Sequence, residues 1–399
     1  MTTFQRAPFK VLKNRLEQPR LKIQMVTGPR QVGKTTLVHQ VLASQNLPFD
    51  FHLADAMDHM NHSWIDHIWT LSRKNWDLQD PDQTRILVID EIQKVPNWAE
   101  MVKRLWDQDT ASGRKIQVVL LGSSPLLLQK GMTESLMGRF ERIGLTHWSW
   151  AEMKEAFGWD LDTFIYFGGY PGAAPFIQDE ARWAEYVLES LVEPTLSRDV
   201  YDLKTIQKPG LMRKLFDFGV DYSSQVISYT KMLGQLHDAG NTVTIAEYLT
   251  LLDQVSFLCG LEKYDPAGTR RRRSSPKLNV YNTALMNAPR VQGFNGTRRD
   301  QVLWGRIVEA AVGAHLLNGI SASRVKLYYW RERDLEVDFV LESSALVLGI
   351  EVKSGTRNRS RTGMAAFTKR FPGAETLLIG GGGMELEEFF SMSVREIAM

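Results

Sequence analysis

Eight consecutive residues near the start of the chain, GPRQVGKT at 28–35, have the types and spacing of a phosphate-binding loop. They satisfy the pattern G-x-x-x-x-G-K-[ST] between an apolar run, LKIQMVTG, and an amphipathic run, KTTLVHQVLASQ, which predict a strand and a helix. Gly28 and Gly33 let the backbone turn so that successive N–H groups face phosphate oxygens. Lys34 is predicted to reach the β- and γ-phosphates, and Thr35 to place its hydroxyl on Mg²⁺. The predicted nucleotide-binding residues are Gly28, Pro29, Arg30, Gln31, Val32, Gly33, Lys34, Thr35 and Thr36.

A second apolar run, RILVID, ends in two acids that suit a magnesium-dependent hydrolase. Asp90 would hold Mg²⁺ through its water shell, and Glu91 would orient or deprotonate the attacking water. Ser123 and Ser124 follow the next apolar run, VVLLG, where a hydroxyl could sense the γ-phosphate; a strand-ending turn explains either serine equally well. Because both acids occur together, the sequence predicts hydrolysis as well as binding.

Three arginines could neutralise charge in the transition state of phosphoryl transfer. They are Arg139 and Arg142 in GRFERI and Arg198 in SRDV. A guanine-reading N-K-x-D string does not occur where one would be expected, so adenine is favoured over guanine. The predicted ligands are therefore ATP and Mg²⁺.

A second group of chemically suited residues lies near the C-terminus, in LEVDFVLESSALVLGIEVKSG. Asp338 is predicted near the end of one strand, and Glu351 and Lys353 on one face of the next. Two carboxylates from adjacent strands can share a divalent metal, while a lysine beside them positions or activates water. Glu309, in the preceding apolar helix, either completes this site or faces solvent. Acid-x-Lys strings are also frequent in exposed strands, which leaves a surface role as the alternative.

Basic residues are concentrated in two patches, although the formal net charge is only +2. With so small a net charge, a nucleic-acid partner must be argued from local charge. One patch could contact a phosphate backbone at the tip of a wing or form a solvated hairpin tip. It consists of Arg270, Arg271, Arg272 and Arg273. The other comprises Lys353, Arg357, Arg359, Arg361, Lys369 and Arg370.

The order of predicted elements divides the 399 residues into four segments. Alternating apolar and amphipathic stretches at 1–150 predict a parallel α/β sheet covered by helices. Helical stretches at 151–236, interrupted by GGYPGAAP, predict a turn before a helix within a helical lid. Helix, strand, turn and strand at 237–290 are the layout of a winged helix. A long helix followed by strands at 291–399 predicts a further α/β domain.

Several strings together resemble one family over nearly the whole chain: GPRQVGKTTL, VIDEIQKVPNW, LLGSS, LMGRFERI, GGYP, SRDV, YYWRERDLEVDFVL and IEVKSG. This is the family of prokaryotic AAA-type ATPases whose C-terminal half is a domain of unknown function, with a winged helix and a segment similar to PD-(D/E)xK nucleases. The resemblance implies nucleotide roles for four residues: Lys34, Thr35, Asp90 and Glu91. It implies a phosphate-sensing role for Arg139, which joins Lys34 and Glu91 as a catalytic candidate.

The same resemblance extends to the C-terminal segment, at 291–399. It aligns four residues with nuclease-like positions: Glu309, Asp338, Glu351 and Lys353. The chain departs from the family at Asn282, where an acid is common, so a role for that acid does not transfer. The implied activity is an ATPase coupled to a DNA-binding, nuclease-like half. The alternative is a nucleotide-switched DNA- or protein-binding module without nuclease activity, in a regulatory or defence system.

Composition limits the class of protein further. Hydrophobic residues make up 43% and charged residues 24%, which is typical of a globular protein. The single cysteine, Cys259, excludes an intramolecular disulfide and is predicted to be a buried small residue. Four histidines lack the i, i+4 spacing of a helical zinc pair and are interpreted as part of a solvated helix. They are His52, His59, His62 and His67.

Two sequence features that would indicate export or membrane insertion do not occur, and this predicts the compartment of the protein. No signal-peptide core and no uncharged run of about 18 apolar residues occur, so we expect a cytoplasmic protein without a membrane partner. DNA is the expected partner. A protein partner and a homo-oligomer are both compatible with the sequence.

Overall fold

The computed structural model describes residues 4–54, 62–78, 83–123, 136–200, 206–236, 240–267, 274–321, 323–355 and 362–399. The chain forms two compact units, Met1–Leu145 and Thr146–Met399. Each unit is built around its own β-structure. The four segments expected from the sequence are finer than this division and stay predictions.

The N-terminal unit contains a parallel five-stranded sheet. Its strands are β1 (Ile23–Thr27), β2 (Phe49–Leu53), β3 (Arg85–Asp90), β4 (Ile116–Gly122) and β5 (Phe140–Gly144). They are ordered β2-β3-β4-β1-β5, so that β4 lies between the two strands that carry the phosphate loop and the acids. Every residue of β1 and β4 is buried, as expected for parallel strands covered on both faces. The predicted parallel α/β sheet is confirmed.

Helices cover both faces of this sheet. They are α1 (Pro8–Leu16), α2 (Lys34–Ala43), α3 (His62–Asp77) and α4 (Trp98–Ala111), with a short 3₁₀ helix at Ile92–Lys94. Successive residues of a strand point to opposite faces. Met25 therefore packs in a cluster with Trp69 of α3 and Trp98 of α4, whereas its neighbour Val26 packs with Val38 of α2. The helix predicted after the phosphate loop is confirmed.

The C-terminal unit begins with helices and one small hairpin-like sheet. Its first helices are α5 (Trp150–Phe157), α6 (Leu161–Phe167), α7 (Glu180–Glu185), α8 (Pro209–Asp221), α9 (Tyr229–Gln235) and α10 (Thr242–Gln254). A 3₁₀ helix at Pro171–Phe176 covers most of the string predicted as a turn, and π-helical segments follow at Tyr186–Val192 and Thr195–Asp199. Antiparallel strands β6 (Leu258–Leu261) and β7 (Lys277–Val280) come next. The predicted helix, strand and strand are present, and the winged-helix assignment remains a prediction.

The remainder of this unit contains a long apolar helix and a four-stranded sheet. The elements are α11 (Thr283–Asn287), α12 (Gly293–Arg299), α13 (Gln301–Ile320), β8 (Lys326–Glu332), β9 (Leu335–Glu342), β10 (Val347–Lys353), α14 (Thr362–Arg370), β11 (Glu375–Gly380), α15 (Leu386–Ser391) and α16 (Val394–Ile397). The order is β11-β10-β9-β8, with β8, β9 and β10 antiparallel and β10 parallel to β11. Because α13 packs against β7, β8 and β10, half of its residues are buried. The helix and the strands predicted here are confirmed.

Asn282, where the chain departs from the resembled family, has a structural role. Asn282 caps α11: its Oδ1 accepts from Ala284 N and from Gly169 N, both at 3.1 Å. A Cβ on Gly168 would come 1.9 Å from that same oxygen, which explains the glycine.

Cys259 lies half-buried in β6, so its predicted burial is only partial. Among the described helices, none is both long and apolar enough to cross a bilayer.

Candidate functional site

The phosphate loop lies at the carboxyl end of β1, where the chain turns into α2. A Cβ on Gly28 would come 2.3 Å from the main-chain oxygen of Leu145, so only glycine fits there. Gly33 has a φ of 87°, a left-handed conformation that glycine adopts without strain. No side chain caps α2 at Gly33, which suits an anionic ligand at this helix N-terminus.

Two cationic side chains hold the loop in its turned shape. The buried Lys34 ammonium donates to the main-chain oxygens of Gly28 at 2.9 Å and Pro29 at 2.8 Å. Arg6, which the sequence did not single out, donates from Nη1 to Val32 O at 3.2 Å. The loop therefore keeps a positive charge at its centre, where a polyphosphate needs one.

Thr35 and Asp90 meet at the carboxyl edge of the sheet, beside this loop. Thr35 Oγ1 donates to Asp90 Oδ2 at 2.7 Å, and Asp90 Oδ1 accepts from Glu91 N at 2.8 Å. Hydroxyl and carboxylate oxygens are ligands that Mg²⁺ prefers. The residues therefore fit a magnesium nucleotide: Thr35 and Asp90 would hold the metal, and Lys34 would hold the phosphates.

Glu91 is positioned by a glutamine that the sequence did not single out. It follows β3 in a left-handed conformation, and burial raises its pKa, with Lys34 opposing this effect and Asp90 adding to it. Gln93 Nε2 donates to Glu91 Oε2 at 2.6 Å and to Ser123 Oγ at 3.3 Å. Gln93 thus links the candidate base to the candidate γ-phosphate sensor. The available signal was a polar residue two positions after Glu91, in DEIQK.

Replacing Gln93 with alanine is expected to lower ATP turnover by about 10²-fold, because the Glu91 carboxylate loses the donor that orients it. Nucleotide affinity should stay close to that of the wild type. Steady-state hydrolysis and titration with a fluorescent nucleotide measure the two effects separately. Ser123→Ala, which removes the longer of the two hydrogen bonds, serves as the comparison and should have a smaller effect. Unchanged turnover in Gln93→Ala would contradict this role.

Two of the three predicted arginines belong to the N-terminal sheet: Arg139 directly precedes β5, and Arg142 lies in the middle of β5 opposite Met25 of β1. The main-chain oxygen of Arg139 accepts from Ile23 N at the start of β1, whereas the loop follows Thr27 at its other end, about 13 Å away along the strand. The Arg139 guanidinium donates to Asp107 at 2.9 Å. Arg142 Nε donates to Thr27 Oγ1 at 2.8 Å, directly before the loop. The structure therefore does not bring Arg139 to the phosphate loop of its own chain, and it does bring Arg142.

The acids predicted near the C-terminus lie together in the second unit. The carboxylate cluster comprises Glu309 of α13, Glu336 and Asp338 of β9, and Glu351 of β10. Asp338 is the fourth of eight residues in β9, and not near its end as predicted, because the strand continues to Glu342. Its Oδ2 accepts from Val352 N at 2.8 Å. Lys353 Nζ lies 2.5 Å from Glu351 Oε1, which confirms that these two share a face.

A buried lysine, Lys277, lies at the centre of this cluster, and the sequence did not single it out. Its Nζ is 2.6 Å from Glu309 Oε1, 3.5 Å from Asp338 Oδ1 and 3.7 Å from Glu336 Oε1. Glu309 therefore faces the cluster. Burial alone would lower the pKa of Lys277, but the carboxylates raise it above its ordinary value. Burial raises the pKa of Glu309 to about 7, with Asp338 adding to the effect and Lys277 opposing it.

This arrangement does not fit a divalent metal. Within the described parts of the chain, no three His, Cys, Asp or Glu side chains are grouped so that they could hold one. Asp338 Oδ2 is taken by Val352 N and Glu351 Oε1 by Lys353, while Glu351 Oε2 is buried without a hydrogen-bond partner. Glu309, Glu336 and Asp338 already face the Lys277 ammonium and Glu351 faces that of Lys353, whereas Mg²⁺ or Ca²⁺ requires several oxygen ligands of its own.

Several predicted residues lie outside the described residues. They are His59, Ser124, Arg270, Arg271, Arg272, Arg273, Arg357, Arg359 and Arg361. His62 and Arg198 belong to described helices, but their side chains are not described. The rest of the second basic patch is described: Lys369 and Arg370 are exposed at the end of α14, and Lys353 is half-buried.

Comparison with known families divides the chain into three matched regions. Residues 20–154 match a family described as an AAA domain. Residues 158–295 and 304–390 match two different domains of unknown function. The first match contains the phosphate loop and both acids, and the third contains Glu309, Asp338 and Glu351.

Relatives extend over most of the chain. An uncharacterised protein of Mycobacterium tuberculosis is 26% identical over 344 residues, which cover 84% of this chain and 70% of the relative. An uncharacterised protein of Methanocaldococcus jannaschii is 23% identical, covering 80% of this chain and 72% of the relative. Neither name states an activity.

Solved structures with similar parts include a RuvB chain from Thermotoga maritima, at 16% identity and a TM-score of 0.34, covering 65% of this chain and 87% of that one. The Aeropyrum pernix ORC1 protein in complex with DNA is 12% identical with a TM-score of 0.33, covering 71% and 91%. The first match and the geometry of the loop agree on an AAA-type domain with a phosphate-binding loop at residues 20–154, followed by two regions that match domains of unknown function.

Proposed function

We propose that the chain hydrolyses ATP with Mg²⁺ in its N-terminal unit and uses the nucleotide state to control a C-terminal unit that contacts DNA. One observation carries the hydrolytic part. The Thr35 hydroxyl and the Asp90 carboxylate meet at 2.7 Å beside the Lys34 loop, and Glu91 follows directly. A metal-holding pair, a phosphate-binding cation and a base are thus close together at one edge of one sheet.

Each side chain has a defined task in this proposal. Bound Mg²⁺ would supply positive charge to the β- and γ-phosphates. Lys34 adds a fixed positive charge from inside the loop, and the N–H groups at the start of α2 bind phosphate oxygens. Glu91, made more basic by burial, accepts a proton from water or orients it. Gln93 holds that carboxylate in place.

The DNA-contacting part rests on local charge in the C-terminal unit. Lys369 and Arg370 are exposed at the end of α14, which packs closely on β9: a Cβ on Gly363 would come 2.1 Å from Glu336 O. These two cations are therefore fixed on the same sheet as the carboxylate cluster. The sequence adds the arginine run at 270–273. We assign the winged helix to 237–290 and the nuclease-like fold to 291–399 as parts of this proposal.

The proposal predicts DNA binding that weakens with salt and changes between ATP and ADP. Cation–phosphate contacts release counterions, so log affinity should fall with log salt by about 0.9 for each contact with duplex DNA. Fluorescence anisotropy with labelled duplex, at several salt concentrations and with each nucleotide, measures both effects. The double variant Lys369→Ala and Arg370→Ala should reduce the slope, whereas Lys10→Ala, an exposed cation on α1, should not.

The same anisotropy titrations distinguish nucleotide control of DNA binding from nucleotide control of a protein partner. Lys34→Ala should retain nucleotide-free DNA binding but lose the difference between ATP and ADP. No DNA binding at low salt would contradict the DNA role. A protein partner or a second copy of the chain would then be the target of nucleotide control.

A further inference from the structure

The ammonium of Lys277 is the cation of the carboxylate cluster. The side chain begins on β7 and is fully buried, with carboxylate oxygens of Glu309, Glu336 and Asp338 within 3.7 Å of Nζ. The Phe339 ring closes another side, with its centre 4.8 Å from Nζ. Carboxylates converging from a helix and a strand on one buried point are the surroundings expected of a bound cation.

Oxygen atoms of the carboxylate cluster accept hydrogen bonds from the Lys277 ammonium. An ammonium has three N–H donors. Glu309 Oε1 at 2.6 Å and the main-chain oxygen of Asp338 at 3.1 Å accept from it, and Asp338 Oδ1 lies at 3.5 Å. Lys277 is thus held by the same two residues, Glu309 and Asp338, that the resemblance aligns with a nuclease-like site.

A divalent cation would compete directly with this ammonium. A metal held by Glu309 and Asp338 would lie within a few ångströms of Nζ, where like charges repel strongly in a buried setting. The neighbouring Glu351 and Lys353 form a second, separate ion pair at 2.5 Å. Each acid of the nuclease-like set therefore already has a lysine partner.

We propose that Lys277 replaces the divalent metal of the nuclease-like site, so that the C-terminal unit contacts DNA without cleaving it. Lys277 and the acids that surround it all belong to this one chain. The absence of cleavage rests on the proposed function, because it presupposes that DNA is the partner. A lysine with a merely structural role would leave no metal site behind when removed, whereas a substitute for a metal would.

The test is Mn²⁺ binding by the full-length protein without nucleotide, followed by electron paramagnetic resonance and calorimetry. The nucleotide site is the same in all variants, so its contribution cancels. The wild type should show no Mn²⁺ site that depends on Glu351. Lys277→Met should bind one further Mn²⁺ per chain, and adding Glu351→Gln should remove it again. Lys277→Met with Glu309→Gln, which removes both ion-pair partners, should gain no site.

Two outcomes overturn the proposal: a wild-type Mn²⁺ site that Glu351→Gln abolishes, or a folded Lys277→Met variant that gains none. Should Lys277→Met unfold without metal, refolding on addition of Mn²⁺ counts as the gained site. If it stays unfolded, the wild-type titration alone decides.

Failure of the proposed function has a separate readout. Absent DNA binding by the wild type would remove the DNA role and leave the Mn²⁺ result intact. Cleavage of plasmid DNA by the wild type with Mn²⁺, lost on replacing Asp338 and Glu351, would overturn the replacement of the metal by Lys277.

Discussion

ATP hydrolysis should fall by at least about 10³-fold when Lys34 is replaced with alanine, close to the loss expected for removing a buried charge aimed at the transition state. The reason is positional. The Lys34 ammonium lies inside the loop and contacts the main chain of Gly28 and Pro29, so no neighbouring cation can take its place without rebuilding the loop. Phosphate release over time, at saturating ATP and Mg²⁺, measures the effect.

Lys22 provides the matched control for this substitution. It is an exposed lysine in the same unit, just before the start of β1, and it donates to the main-chain oxygen of Gly138. Lys22→Ala should therefore keep wild-type turnover. Circular dichroism of both variants checks that the unit remains folded. Turnover by Lys34→Ala within tenfold of the wild type would remove the assigned role of the loop.

Replacing Lys277 with alanine should destabilise the C-terminal unit by about 3–5 kcal/mol, the usual cost of removing one partner from a buried ion pair. The loss would leave Glu309, Glu336 and Asp338 facing one another without a counter-charge. We expect a large effect because the Lys277 side chain is fully buried and those of its partners Glu309 and Asp338 are mostly buried. Urea unfolding, with the transition of each unit followed separately, gives the free energy of unfolding.

Two companion variants make this prediction specific. Lys353→Ala removes a lysine from the same sheet, but its side chain is 29% exposed, so the loss should be clearly smaller. Lys277→Met with Glu309→Gln removes a charge of each sign and should recover much of the stability lost in the single variant. A loss below about 1 kcal/mol in Lys277→Ala, within the range of an ordinary surface substitution, would be incompatible with the ion-pair geometry.

The sequence predicted the N-terminal sheet and its phosphate loop well, for a physical reason. Parallel strands buried on both faces are nearly continuous apolar runs, as in RILVID and IQVVLLG, so their composition reveals them without a partner. The loop likewise depends on consecutive residues, with glycines required by a left-handed φ at Gly33 and a close contact at Gly28.

What the sequence could not reveal depends on residues that are distant in the chain. Lys277 has the sequence context of an ordinary polar residue at the start of a strand, and its partners are brought to it only by the packing of α13 and β9. The position of Arg139 depends on the register of β5 against β1, which pairs Phe140 with Ile23 at the start of the strand. Neither the packing nor the register is determined by local residue types.

The Lys277 contacts bear on how this chain can be divided. Lys277 lies in the region matched at 158–295, whereas Glu309, Glu336 and Asp338 lie in the region matched at 304–390. A fragment cut between these regions would carry three acids without their cation, or the cation without its acids. The two regions are therefore expected to be inherited together, and an expressed fragment of the C-terminal unit should begin before α5 and include both.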